Sequence, residues 1–153
     1  MRFLFVDRIL ALVPGKSIEA EHVFPGDEDF FSDHFPGFPV VPGVLLTEMM
    51  GQTAAKCLDA ESRGTGRGKA MLAQIRSASF RDWVRPDEKA TIKAEIRSSQ
   101  AGFATAACRV EIGDRRVCSA ELLFSFVPLG NFAPGYRDEV LESYLASREP
   151  GKG

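Results

Sequence analysis

The stretch "DHFPGFPVVPGVLLTEMMGQTAA", residues 33–55, decides the fold of this chain. Three prolines hold its first part extended, and an apolar run begins at Val44. From Val44 to about Leu58, apolar residues cover nearly every side of a helix, which predicts a helix enclosed by the rest of the protein. One carboxylate, Glu48, interrupts this run. A buried carboxylate is costly unless it is hydrogen-bonded, paired or protonated, so the position of Glu48 needs an explanation.

The segments around this helix have the pattern of strands. Alternation of apolar and polar residues predicts strands over 2–13, 16–24, 71–80, 90–98, 103–112 and 115–127. A helical turn is predicted within 27–35, and the polar segment 59–69 is predicted to be a solvated loop. One long buried helix with about six antiparallel strands indicates an α+β domain whose sheet curls around the helix. We assign this domain to residues 1–127.

Residues 128–153 form a C-terminal extension rich in proline and glycine at its start. A short amphipathic helix is predicted near 137–147, with Val140, Leu141 and Tyr144 on one side.

Composition excludes several classes of function. The chain is 44% apolar and 26% charged with a net charge of −2, which disfavours nucleic-acid binding driven by overall charge. No apolar run is long enough to span a bilayer, and charged residues interrupt the N-terminal run, so we expect neither a membrane protein nor a signal peptide. The three cysteines form no Cys-x-x-Cys pair, which indicates reduced thiols in the cytoplasm. His22 and His34 lack partners at metal-ligand spacing, so no metal site is expected.

Glu48 and Gln52 are four residues apart and share one face of the predicted helix. Two interpretations of this pair stay open on the helix pattern alone. They could form a structural hydrogen-bond network, or Glu48 could be an acid that burial keeps protonated near neutral pH. His34 favours the second, because a histidine in a proline-stiffened loop is suited to act as a general base. Gly43 adds a helix end where a ligand carbonyl could accept a hydrogen bond from free N–H groups.

A base, an acid and an oxyanion-stabilising helix end are the parts needed to remove water from a 3-hydroxyacyl thioester. The motif "HFPGFPVVPGVLLTEMMGQ", with "FRDWVRPDE" and "VCSAELLFSF", resembles the 3-hydroxyacyl-(acyl-carrier-protein) dehydratases of the FabZ type. The resemblance covers about residues 3–127. It implies a hot-dog fold, a homodimer as the minimal unit with a trimer of dimers as a further assembly, and no resident cofactor, since the acyl carrier protein delivers the phosphopantetheine arm.

The resemblance also implies roles for single residues. His34 matches the catalytic histidine, Glu48 the catalytic acid and Gly43 the glycine whose N–H holds the thioester carbonyl. Gln52 matches a glutamine to which we assign an orienting role, and Phe35 and Val44 are assigned to substrate binding with Gly43 and Gln52. In this family the histidine of one chain works with the glutamate of the other. Asp33 departs from the family, which usually has glycine before the histidine.

Two alternative functions remain, namely an acyl thioesterase and a non-catalytic acyl-binding module of the same fold. The expected partner, acyl carrier protein, is acidic, so a basic rim should receive it. The candidate residues form two groups, Arg63, Arg67 and Lys69 in the predicted loop, or Arg76, Arg81 and Arg85 around the third predicted strand.

Overall fold

One antiparallel sheet of six strands forms the frame of the protein. A computed structural model describes residues 1–132 and 135–148. The strands are β1 (Arg8–Val13), β2 (Ser17–Val23), β3 (Lys69–Phe80), β4 (Lys89–Ser99), β5 (Phe103–Ile112) and β6 (Arg115–Val127). Their order in the sheet is β1-β2-β4-β5-β6-β3, so β3 is placed at the edge, paired only with β6 among the described residues.

A helix of 23 residues, α1 (Gly43–Thr65), packs against this sheet, mainly against the strands β2 to β6. Small residues on β4 and β5 make room for it: Ala90, Ala94, Ala104 and Ala106 are at most 1% exposed. The apolar side of α1, including Met49 and Met50, fills the core above them. The chain therefore has the hot-dog fold, which confirms the predicted α+β architecture.

Two sequence predictions about local structure are wrong. The first strand begins at Arg8, because residues before it leave the sheet: the Phe5 N–H donates to the side chain of Gln52. The segment 59–69 is mostly helix, since α1 continues to Thr65 and ends where Gly66 adopts a left-handed φ of 69°. Asp59 is buried in this part of the helix. Its carboxylate is tolerated there because it accepts hydrogen bonds from Lys69 and the Ala70 N–H.

One side of α1 is open in the single chain, although its opposite side is buried against the sheet as predicted. Val44 is 76% exposed, and Glu48 is half-buried rather than fully buried. The neighbouring strand β3 is exposed along nearly all of its length. This open side contains the residues that the sequence singles out for chemistry.

The C-terminal extension folds back onto this domain. It contains a short 3-10 helix at Leu129–Asn131 and the helix α2 (Glu139–Ala146), which lies where the amphipathic helix is predicted. The predicted extension also includes residues 133–134 and 149–153, which lie outside the described residues. Within the described ranges, no helix is long and apolar enough to cross a membrane.

Candidate active site

Glu48 projects from the open side of α1 and is held there by Gln52. The Gln52 side-chain N–H donates to Glu48 Oε1 over 3.2 Å. The same amide accepts the Phe5 N–H through Oε1 at 2.8 Å and donates to the Phe3 carbonyl at 3.3 Å. Three of the four hydrogen-bonding positions of the amide are therefore used, which fixes its orientation. Gln52 therefore holds one oxygen of the Glu48 carboxyl group in place.

The Glu48 carboxylate faces two adjoining cavities along α1. One has a volume of about 350 Å³ and is lined by Gly51, Ala55 and Phe124 together with the β3 residues Met71 and Leu72. The other, of about 330 Å³, lies between α1, the N-terminal residues and α2. Glu48, Gln52, Lys56 and Lys69 line both cavities. An apolar chain could therefore lie next to this carboxylate.

His34 lies in a loop that backbone hydrogen bonds fasten at several points. Its N–H donates to the Phe30 carbonyl at 3.0 Å, and its carbonyl accepts the Val40 N–H at 3.0 Å. A turn follows, closed by hydrogen bonds between Phe35 and Phe38, in which Gly37 has a φ of 79°. The His34 ring is half-buried and stacks on Phe35 with 4.0 Å between ring centroids. This loop presents the imidazole on a fixed backbone.

Gly43 is the first residue of α1, and a neighbouring side chain leaves little room for a larger residue there. A Cβ at this position would lie 3.2 Å from the Phe80 ring, so a larger residue would push against β3. The preceding residue, Pro42, provides no side-chain cap, which leaves the first N–H groups of the helix available to a ligand. These groups and the partial positive charge of the helix end suit a carbonyl oxygen that gains negative charge.

Phe35 and Val44, the other predicted substrate-binding residues, are 52% and 76% exposed. Phe35 belongs to the histidine loop and Val44 to the first turn of α1. Both are available for contact with a ligand or a second chain. Asp33 is exposed too, and in the described part of the chain no hydrogen bond or ion pair joins it to His34.

A single chain does not bring the two central residues together. His34 lines neither of the cavities that Glu48 lines, and no hydrogen bond or ion pair links them in residues 1–132 and 135–148. The histidine loop, the helix end and the carboxylate therefore do not form a closed site within one copy of the protein.

Lys56 was missed in the sequence analysis, although it follows Gln52 by four residues and so shares its face of α1. Its ammonium lies 5.3 Å from the centre of the Tyr144 ring in α2. Burial, with repulsion from Lys69, lowers the pKa of Lys56. Periodicity of polar residues along the helix would have been the signal for it. Within the described residues, no cluster of three His, Cys, Asp or Glu side chains could hold a metal ion.

Comparison with known sequences gives matches over most of the chain. A family model described as the FabA-like domain matches residues 1–121. A 3-hydroxyacyl-[acyl-carrier-protein] dehydratase FabZ of Levilactobacillus brevis is 38% identical over 121 residues, which cover 79% of this chain and 81% of that protein. A protein of the same description from Chloroflexus aggregans is 37% identical over 124 residues, or 80% of this chain and 85% of that one.

Solved structures with the same fold are more distant in sequence. A hypothetical thioesterase protein with coenzyme A from Streptococcus pneumoniae superposes with a TM-score of 0.64 at 13% identity, over 79% of this chain and 85% of that chain. The dehydratase heterocomplex ApeI:P from Xenorhabdus doucetiae gives a TM-score of 0.60 at 16% identity, over 82% and 99% of the two chains. At such identities the likeness concerns the fold alone.

Proposed function

Since this chain belongs to the FabA-like family, we propose that it removes water from (3R)-3-hydroxyacyl groups on acyl carrier protein, giving the trans-2-enoyl product. The chain is a hydro-lyase, and its FabZ relatives are 3-hydroxyacyl-[acyl-carrier-protein] dehydratases. We place the reaction in fatty acid biosynthesis. The observation that carries the detailed proposal is the Glu48–Gln52 pair, whose carboxylate faces an open groove along α1.

The proposed reaction uses three groups of the protein. The imidazole of His34 takes a proton from the carbon next to the thioester carbonyl, and that C–H bonding pair becomes the new double bond. The N–H at Gly43 stabilises the negative charge that develops on the carbonyl oxygen. Glu48 gives its proton to the hydroxyl group as the bond between carbon and oxygen breaks, and water leaves. Gln52 orients Glu48, while Phe35 and Val44 contact the substrate on either side of the helix end.

A homodimer is proposed as the working unit. Four apolar side chains of β3 support this proposal, because each is 40% to 50% exposed in the single chain. They are Met71, Leu72, Ile75 and Phe80. An edge strand with such side chains favours pairing with another strand. A second copy on this edge would cover the open side of α1, so that the partner's His34 loop could reach Glu48.

The acyl carrier protein is proposed to approach over Arg76, Arg81 and Arg85. The other candidate residues already form ion pairs within the chain. Arg63 pairs with Glu142, Arg67 with Glu61, and Lys69 with two aspartates. Among the described residues, no ion pair involves the three arginines near β3, and all three are exposed. Arg85 also lies 4.8 Å above the Phe38 ring, in the loop that contains His34. An acidic carrier on this surface would deliver its arm next to the histidine.

The reaction needs no resident cofactor in this proposal, since acid, base and N–H donor are all side-chain or backbone groups. We propose that it takes place in the cytoplasm, where the three free, buried cysteines would stay reduced.

The test of the function is an assay of the purified protein with a 3-hydroxyacyl thioester on acyl carrier protein. Three signals are followed together: enoyl absorbance, release of free thiol and binding. Enoyl formation without thiol release is the expected result. Thiol release would identify a thioesterase instead, and binding without any turnover would identify an acyl-binding module.

Charge reversal tests the docking surface. Arg81→Glu with Arg85→Glu should raise the KM for the carrier-linked substrate about tenfold at low salt, because steering by the surface field is lost. The KM for a small thioester substrate should not change, and the difference should shrink at high salt. Arg97→Glu is the matched control, since Arg97 is an exposed arginine elsewhere that pairs with Glu95. An equal effect of Arg97→Glu, or none of the double variant, would reject this surface.

A further inference from the structure

The helix α2 lies beyond residues 1–121, the part matched by the family model, yet a cluster of three charged residues, one buried and two partly buried, attaches it to the domain. Lys69 donates to Asp59 and also to Asp138 Oδ2, at 2.6 Å in the second case. Asp138 caps α2 by accepting the Leu141 N–H at 3.0 Å. Burial of Lys69 disfavours its charge, but the two carboxylates outweigh this and raise the pKa of Lys69. The contact between Lys69 and Asp138 fixes the start of α2.

The far end of α2 holds the N-terminal segment of the chain. The Tyr144 hydroxyl donates to the Val6 carbonyl, and Arg148 donates to the Ile9 carbonyl at 2.8 Å. Phe5 and Val6, in this N-terminal segment, are at most 3% exposed. Residues that leave the sheet before Arg8 are thus held in place by the extension, together with their own apolar packing.

That N-terminal segment decides which way the Gln52 amide points. The Phe5 N–H donates to Gln52 Oε1, so the oxygen must face the segment and the Nε2 group must face Glu48. With the amide turned over, its NH₂ group would face the Phe5 N–H, and two donors cannot form a hydrogen bond with each other. The backbone of Phe3 and Phe5 therefore selects the amide orientation that supports Glu48.

We propose that α2 is a positioning element for Glu48, and that Tyr144 is its positioning residue, acting through Val6, Phe5 and Gln52 in turn. The inference rests on the proposed function, because it assigns the extension to the same site. According to this inference, residues beyond 121, which the family model does not match, affect the rate of catalysis. Tyr144 itself does not line either cavity beside Glu48 and is not a catalytic residue.

The test begins with Tyr144→Phe, which removes one hydroxyl and keeps the ring that packs near Lys56. We expect kcat to fall about fivefold with KM unchanged, the change that corresponds to one hydrogen bond of ordinary strength. Glu142→Gln is the matched control, since it breaks the exposed ion pair between α2 and Arg63 but leaves the N-terminal contacts intact. It should leave kcat unchanged.

A double variant separates positioning from a general loss of structure. If Tyr144 acts through Gln52, then Gln52→Leu with Tyr144→Phe should lose no more activity than Gln52→Leu alone. Losses that multiply, or an unchanged kcat in Tyr144→Phe, would overturn the inference.

Hydrogen exchange gives a readout that does not depend on turnover. Tyr144→Phe should speed exchange at the amide of Phe5, while the amides of β4 should be as protected as in the wild type. Unchanged exchange at Phe5 would overturn the inference even in an active enzyme. A wild type that shows no dehydration, together with the expected exchange pattern, would instead reject the proposed function and keep the structural connection.

Discussion

Replacement of His34 by alanine is expected to lower kcat/KM for a 3-hydroxyacyl thioester by about 10²- to 10⁴-fold, the range that a positioned base supplies. Glu48→Gln should cause a loss of the same order, because the glutamine cannot give a proton to the departing hydroxyl. Both positions are half-buried, and neither belongs to the hydrophobic core. The measurement is the rate of enoyl formation, with circular dichroism to establish that each variant is folded.

The chain offers a matched control for each change. His22, the other histidine, is buried and bonded to Asp7 Oδ1 at 2.8 Å, so His22→Gln should cost stability but keep the turnover of the folded protein. Glu61 lies on the same helix as Glu48 but pairs with Arg67, so Glu61→Gln should be fully active. Turnover in His34→Ala within a factor of two of the wild type would reject His34 as the base.

Coexpression of the two inactive variants is expected to restore activity. If His34 of one copy works with Glu48 of the other, a mixed dimer of His34→Ala and Glu48→Gln chains has one intact site and one doubly defective site. Random pairing of two such chains across a twofold axis makes half of the dimers mixed, so about a quarter of wild-type activity should return. The measurement is the specific activity of the coexpressed chains, purified together through one tag that both chains carry.

The control for this experiment pairs His34→Ala with the double variant His34→Ala and Glu48→Gln, which can form no intact site. Activity should then stay at the background level of each variant. If coexpression of the two single variants also gives only background, both groups must come from one chain. The proposed arrangement of the dimer would be wrong in that case.

The regular parts of the fold could be predicted because their sequence patterns are strong. Strands β5 and β6 have the predicted bounds, 103–112 and 115–127, since apolar residues at every second position mark one face of each strand over most of its length. The helix is recognised from its apolar residues after Pro42. Its last two turns were not predicted, since the burial of Asp59 depends on Lys69, a partner that the helix pattern does not contain.

The candidate site was only partly readable for similar reasons. The pairing of Glu48 with Gln52 could be predicted, because residues four apart lie on the same face of a helix. The contact of Gln52 with Phe5 joins residues 47 positions apart, and that of Tyr144 with Val6 joins residues 138 apart. No local pattern indicates such contacts, because they depend on where the chain ends meet after the sheet has formed.

The pairing of β3 with β6 also determines when β3 can enter the sheet during synthesis of the chain. In a single chain, β3 has β6 as its strand partner, with Lys69 opposite Val127 and Phe80 opposite Cys118. A ribosome must therefore add some dozens of residues after β3 before that partner emerges, a delay on the order of seconds. During this interval an apolar strand has no neighbour within its own chain and is prone to aggregate. Molecular chaperones would matter most for this protein in that interval, before its last strand is made.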